Sequence, residues 1–134
     1  MSDESAIEQF LSGSPFAVVG ASQNRAKYGN KVLRSYLQND MTAFPINPNT
    51  REIENQTAYP SLADLPEKVH GLSIITPPPV TLQVVEQAIS IGIKHVWMQP
   101  GAESEEAISV AESAGINVIA GGPCILVALQ FRDE

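Results

Sequence analysis

The chain has 134 residues, with eight Lys and Arg against fifteen Asp and Glu, a formal net charge of −7 and a sequence pI near 4.7. That length is about one domain, residues 1–134, and the acidity excludes a duplex nucleic-acid partner, which needs a basic face several phosphates long. The single cysteine, Cys124, rules out an internal disulfide and favours a reducing compartment. Met1-Ser2-Asp3-Glu4 has neither the basic start nor the apolar core of a signal peptide, and no apolar run reaches membrane-span length. We therefore expect a cytoplasmic protein with no membrane partner.

In chain order, a short amphipathic helix from about Ser5 to Leu11, with Ile7, Phe10 and Leu11 apolar, precedes five short apolar runs. The runs are Phe16 to Gly20, Thr42 to Ile46, Leu72 to Thr76, His95 to Met98 and Asn117 to Ala120. Each is closed by turn residues and followed by a helical or polar segment, the alternation of a parallel sheet with crossover helices. The unbroken hydrophobicity of Ala17-Val18-Val19 and Leu72-Ser73-Ile74-Ile75 fits strands covered on both faces. Helical spacing recurs in Val32, Leu33, Tyr36 and Leu37, in Leu82, Val85 and Ile89, and in Ala107, Ile108, Ala111 and Ala114. Gly92 and Gly115 stand where helix C-caps are needed, and Glu103, Glu105 and Glu106 crowd a helix start, where the dipole favours acids. Asn47 to Gly71, rich in Pro and Asn, reads as mostly loop with one short helix near Ser61 to Leu65. The expectation is an α/β domain with a five-stranded, mainly parallel sheet in three layers.

Charge is unevenly placed. Gln9 to Arg51 holds Arg25, Lys27, Lys31, Arg34 and Arg51 against Asp40 alone, a local charge of +4 in an acidic chain. A solvated basic helix face would give this pattern, and so would a site for one small polyanion. The apolar strand Phe16 to Val19 runs into the small-residue turn Gly20-Ala21-Ser22 and then into Arg25 and Lys27. A strand, a glycine turn and a helix start in succession can hold a phosphate.

An open doubly wound sheet binds ligands at the C-terminal strand ends, beside the point where strand order reverses. Those ends are Gly20-Ala21-Ser22, Asn47 to Arg51, Thr76-Pro77-Pro78-Pro79, Gln99-Pro100-Gly101 and Gly121-Gly122-Pro123-Cys124. The G-x-G-x-x-G dinucleotide fingerprint fails after Gly20, since Ser22 and Arg25 occupy its other glycine positions. Asn47 and Pro48 stand where an acid would bind a ribose hydroxyl. This argues against NAD, and less against NADP, because Arg51 could meet a ribose phosphate. No G-x-S-x-G is present, and His70 and His95 fall at strand entrances, where with one cysteine they complete neither a zinc set nor a hydrolase triad. No metal site and no catalytic residues are expected. Trp97, Tyr36 and Tyr59 read as packing residues.

Five separated motifs appear in order between about Pro15 and Cys124: Val-Val-Gly-Ala-Ser, Lys27-Tyr28-Gly29, Pro45-Ile46-Asn47-Pro48, Tyr59-Pro60-Ser61-Leu62-Ala63-Asp64-Leu65-Pro66, and Val96-Trp97-Met98-Gln99-Pro100-Gly101. Together they resemble the stand-alone CoA-binding domain family, related to the N-terminal domain of the succinyl-CoA ligase alpha subunit. The resemblance implies a Rossmann-like domain holding coenzyme A across its strand ends. It implies that Gly20, Ala21 and Ser22 give donors to the pyrophosphate, that Arg25 and Lys27 neutralise it, and that Tyr28 and Gly29 start the helix with close approach at Gly29. Asn47, Pro48 and Arg51 would line the nucleotide side, Thr76, Pro77 and Pro78 the neighbouring wall, and Gln99 and Gly101 the exit of the pantetheine arm. The family's small members often carry a basic residue just before the cysteine; this chain has Gly121-Gly122-Pro123-Cys124, nearer the ligase turn. The ligase's phosphorylated histidine belongs to a second domain, and neither His70 nor His95 matches its motif, so the resemblance extends to binding and not to ligase chemistry.

Three readings follow. The first is CoA or acyl-CoA binding without catalysis. The second is an NADP-binding regulator or oxidoreductase, and the third an interaction subunit lending a nucleotide site to a partner enzyme. Cys124 is either an inert thiol or, beside a bound CoA thiol, a mixed-disulfide partner. A homodimer through an edge strand or the last helix is compatible with each.

Overall fold

The computed structural model describes residues 3–134, so Met1 and Ser2 of the acidic opening lie outside the described residues. Five strands form one sheet: β1 (Phe16–Val19), β2 (Ala43–Ile46), β5 (Gly71–Ile74), β6 (His95–Met98) and β7 (Asn117–Ile119). Their order is β2-β1-β5-β6-β7 and every pairing is parallel. The direction of winding reverses between β1 and β5, which opens a crevice at their C-terminal ends.

The alternation of side chains along each strand divides the core in two. Ala17, Val19, Leu72, Ile74, Val96 and Met98 face α3 (Pro78–Ser90) and α4 (Glu105–Ser113), meeting Val84, Val85, Ala88, Ala107 and Ala111. Phe16, Val18, Trp97 and Ile119 face the other way, onto α1 (Asp3–Leu11), α2 (Tyr28–Gln38) and α5 (Ile125–Ala128). The expected α/β, three-layer, Rossmann-like architecture is therefore present. Gly92 and Gly115 follow the ends of α3 and α4 with φ of +82° and +78°, and the Ser104 side chain caps α4 by accepting from Ala107 N.

Two elements depart from the sequence reading. The segment after β2 folds into a hairpin of β3 (Glu52–Ile53) and β4 (Gln56–Thr57) that the loop reading lacked, while the short helix expected near Ser61 to Leu65 is present as a 3-10 turn at Leu62–Asp64. Its turn places Glu54 and Asn55 at φ of +50° and +63°, where a glycine would have advertised it. After β7, Ile125 to Ala128 form one helical turn, although Ile125 and Val127 are β-branched. Burial of Ile125 against α2 and the sheet outweighs that preference.

Tyr36 is fully buried, and its hydroxyl lies 2.6 Å from the Ser73 hydroxyl on β5. Burial pushes the phenol pKa up, so it stays neutral throughout the physiological range. Tyr36→Phe is expected to cost about 1–2 kcal/mol by leaving Ser73 without its partner inside the sheet. Urea denaturation measures this, and an unchanged midpoint would mean that the pair is replaceable by packing.

At the opposite end from the crevice, His70 and His95 stack with ring centroids 4.3 Å apart. Asn117 Nδ2 donates to Ala6 O at 2.9 Å, fixing the amide's orientation, and the same nitrogen faces His95 Nδ1 at 3.1 Å. Nδ1 must therefore accept, which requires a neutral ring. Burial first, and the neighbouring His70 second, lower the His95 pKa. The unfolded chain then binds the proton more readily, so this contribution is intact above about pH 6.5 and is lost as pH falls toward the lowered folded value. His95→Gln should flatten the stability profile between pH 7 and 5; an equally steep profile in the variant would assign the acid sensitivity elsewhere.

Candidate cofactor-binding cleft

The crevice is a cleft of about 800 Å³ at the ends of β1, β2 and β5. Its floor begins where β1 turns at Gly20, with φ of +94°. A Cβ at Gly20 would lie 2.0 Å from Ile75 O, and one at Gly29 would lie 2.0 Å from Gly20 O. Two glycines thus let the first turn of α2 rest directly on the β1 turn, and the turn on β5.

The connecting loop is organised by its own polar side chains. Ser22 Oγ accepts from Asn24 N and Asn24 Oδ1 accepts from Ala26 N, each at 3.0 Å. Lys27 occupies the N-cap of α2 in an extended conformation, and no side chain caps the helix. Asn30 N bonds back to Lys27 O at 3.2 Å, so the orphan donors of the first turn are the N–H groups of Tyr28 and Gly29, at the positive end of the helix dipole. Asn47 ties the neighbouring wall to this floor: Nδ2 donates to Ala21 O at 2.8 Å, while Oδ1 accepts from Asn49 N at 2.7 Å. Thr76 Oγ1 lies 2.7 Å from Thr81 Oγ1, joining the end of β5 to α3.

The cleft brings together Gly20, Ala21, Ser22, Lys27, Tyr28, Gly29, Asn47, Pro48 and Thr76. Lys27 is the only cation among the lining residues, and none of them is acidic. Other residues expected at the site lie outside this lining. Arg25 pairs with Glu54 at 2.7 Å and donates to Glu134 O. Arg51 is exposed on the approach to β3, and Pro77 and Pro78 are exposed at the start of α3. Gln99 is buried, its Oε1 accepting from Ile125 N at 2.8 Å and its Nε2 donating to Cys124 Sγ at 3.3 Å. Gly101 is exposed and donates its N–H to Glu103 Oε1 at 2.9 Å. Arg34, another member of the basic segment, is buried and bonds Asn30, Arg25 O and Asp133.

Asn49, within the strand end Asn47 to Arg51, also lines the cleft, whereas Pro60, Ser61, Val80, Val84 and Gln87 line it without having been singled out for the site. Val80, Val84 and Gln87 are spaced i, i+4, i+7 on α3, so one helical stripe carried the signal. Among the described residues, no helix is long and apolar enough to cross a membrane, and no group of three His, Cys, Asp or Glu could hold a metal ion.

The family model described as CoA binding domain matches residues 14–130. The chain belongs to the CoA-binding domain family. The chain is 29% identical over 129 residues to the ADP-forming acetate–CoA ligase I of Archaeoglobus fulgidus, covering 89% of the chain but 19% of the ligase. Its structure resembles a conserved hypothetical protein from Pyrococcus furiosus, with a TM-score of 0.81, 43% identity, and coverage of 87% and 99% of the two chains. It also resembles the dinucleotide-forming acetyl-coenzyme A synthetase 1 of Ca. Korarchaeum cryptofilum, solved in complex with phosphate and ADP. That match has a TM-score of 0.74 and 31% identity, covering 85% of this chain and 27% of that one. The domain thus spans less than a fifth of the curated ligase it matches.

Proposed function

We propose that the protein binds coenzyme A, or an acyl-CoA, at the ends of β1, β2 and β5, without catalysis of its own. The supporting observation is a cleft with no acidic lining, at the reversal of strand order, floored by a glycine turn and an uncapped helix start with Lys27 beside it. Backbone N–H groups and the helix dipole would hold the pyrophosphate there, with Lys27 supplying the charge. Tyr28, 61% exposed at the cleft with Lys31 Nζ 5.5 Å from its ring centroid, offers an aromatic face to the ligand. The apolar wall of Ile46, Pro48, Pro60, Val80 and Val84 suits the uncharged parts of the molecule.

Isothermal titration with CoA, acetyl-CoA, NADP and ADP at two salt concentrations tests this reading. Saturable CoA binding tighter than NADP binding, weakened by salt, is the expected result; tighter NADP binding would replace it with the dinucleotide reading. A second reading draws on the ligase relatives, in which the matched region is a small part of a longer chain. On that reading the protein lends its CoA site to a partner enzyme, and a second protein should co-purify with it in stoichiometric amount.

A further inference from the structure

Glu54 is an acid placed against the loop that, on the reading above, faces a polyanion. Such a charge opposes the ligand unless it does something else there. Its two oxygens are both engaged: Oε1 accepts from Arg25 at 2.7 Å, and Oε2 accepts from Asn30 Nδ2 at 3.1 Å. Asn30 is fully buried in the first turn of α2, and both N–H donors of its side-chain amide are used. The same Nδ2 donates to Ser22 O at 2.9 Å, and its Oδ1 accepts from Arg34 Nε at 2.6 Å. Arg34 in turn donates to Arg25 O at 2.9 Å. A second strut runs from the loop to the hairpin, where Gln23 Nε2 donates to Thr50 Oγ1 at 2.8 Å and to Glu52 O at 2.9 Å.

We propose that Glu54 and Asn30 are positioning residues, through which the β3–β4 hairpin fixes the orientation of the Ser22 to Lys27 loop for phosphate binding. The peptide plane gives the reason. Carbonyl and amide of one trans peptide point in opposite directions, so drawing Ser22 O inward onto buried Asn30 turns the Gln23 N–H outward. Asn47 does the same to the preceding peptide by holding Ala21 O, which turns the Ser22 N–H. Glu54 keeps the Asn30 amide aimed at Ser22, and Arg25 offsets the carboxylate's charge. The inference rests on the anion-binding reading of the cleft, but its structural half does not.

Glu54→Gln separates charge from positioning by sign. A carboxylate acting only as a nearby negative charge would, when neutralised, leave tighter binding of CoA and ADP. A positioning carboxylate would leave binding weaker by about fivefold, the scale of one net hydrogen bond. Hydrogen exchange of the ligand-free protein gives the second readout, with faster exchange expected across residues 22–29 and none gained in α4. Weaker binding together with faster loop exchange supports the proposal. Unchanged loop exchange overturns it, and so does faster exchange with equal or tighter CoA binding. Should the wild type bind no CoA, the function proposed above fails separately, and inorganic pyrophosphate then serves as the probe for the same comparison. Asn30→Asp, which keeps the shape but turns the donor into an acceptor, should weaken pyrophosphate-bearing ligands further, with a thermal melt to confirm folding; binding equal to wild type would overturn the role of Asn30.

Discussion

Gly29→Ala is expected to destabilise the protein by about 2 kcal/mol and to remove CoA binding, although alanine is the better helix former. In an open helix the exchange would stabilise by roughly 1 kcal/mol. Here the added Cβ would lie 2.0 Å from Gly20 O, 3.0 Å from Gly20 C and 3.2 Å from Ala21 Cα, all backbone atoms. No rotamer change relieves such contacts, so the β1 turn and the start of α2 must move apart. Overpacking of this kind costs roughly 1–3 kcal/mol, with rigid neighbours at the upper end. The movement opens the floor of the cleft, which is why binding should fail even at a temperature where the variant is folded. Gly115→Ala is the control: nothing lies within 4 Å of its Cβ, so only its left-handed backbone is strained, at a cost of about 1 kcal/mol. Urea midpoints and CoA titration of both variants decide. A Gly29→Ala midpoint at or above that of wild type would mean that the helix gain wins and the turn has room.

The contact at Gly29 also shows which parts of the site the sequence could reveal. Continuous apolar runs, small turns after them and a glycine at the helix start are local patterns, and they located β1, its turn and α2. The same holds for Asn47 at the end of β2. The fate of the cations was not local. Arg25 and Arg34 sit in the same basic segment as Lys27, yet Arg25 is taken by Glu54 across 29 residues and Arg34 is buried against Asp133 across 99. Only Lys27 remains in the cleft lining. A charge count adds these three as equals, whereas the fold spends two of them on internal contacts. Gln99 illustrates the same limit from the other side. Its place after a strand suggested ligand contact, and its side chain caps α5, an element whose β-branched sequence hid it. The hairpin was invisible because Glu54 and Asn55 adopt left-handed backbone without glycine, and its consequence for Arg25 was hidden with it.

Lys27→Ala is therefore expected to weaken CoA binding on the order of tenfold at low salt, the scale of one charge-assisted contact to phosphate. Arg25→Ala should weaken it less, since Arg25 is held at Glu54 and Glu134 O outside the cleft lining. The fold should tolerate Lys27→Ala, because the side chain is exposed and makes no capping bond to α2. Two features distinguish a phosphate contact from a general effect of net charge. ADP should lose affinity by nearly the same factor as CoA, because the diphosphate is common to both. The difference between wild type and variant should also shrink at high salt, where the Debye length falls to about 3 Å at 1 M. Titration of CoA and ADP against both proteins across salt reads both features. A loss confined to CoA would move Lys27 from the diphosphate to the 3′-phosphate. A loss equal for Lys27→Ala and Arg25→Ala would mean that the ligand draws Arg25 away from Glu54, and that the ion pair seen here belongs to the ligand-free form of the loop.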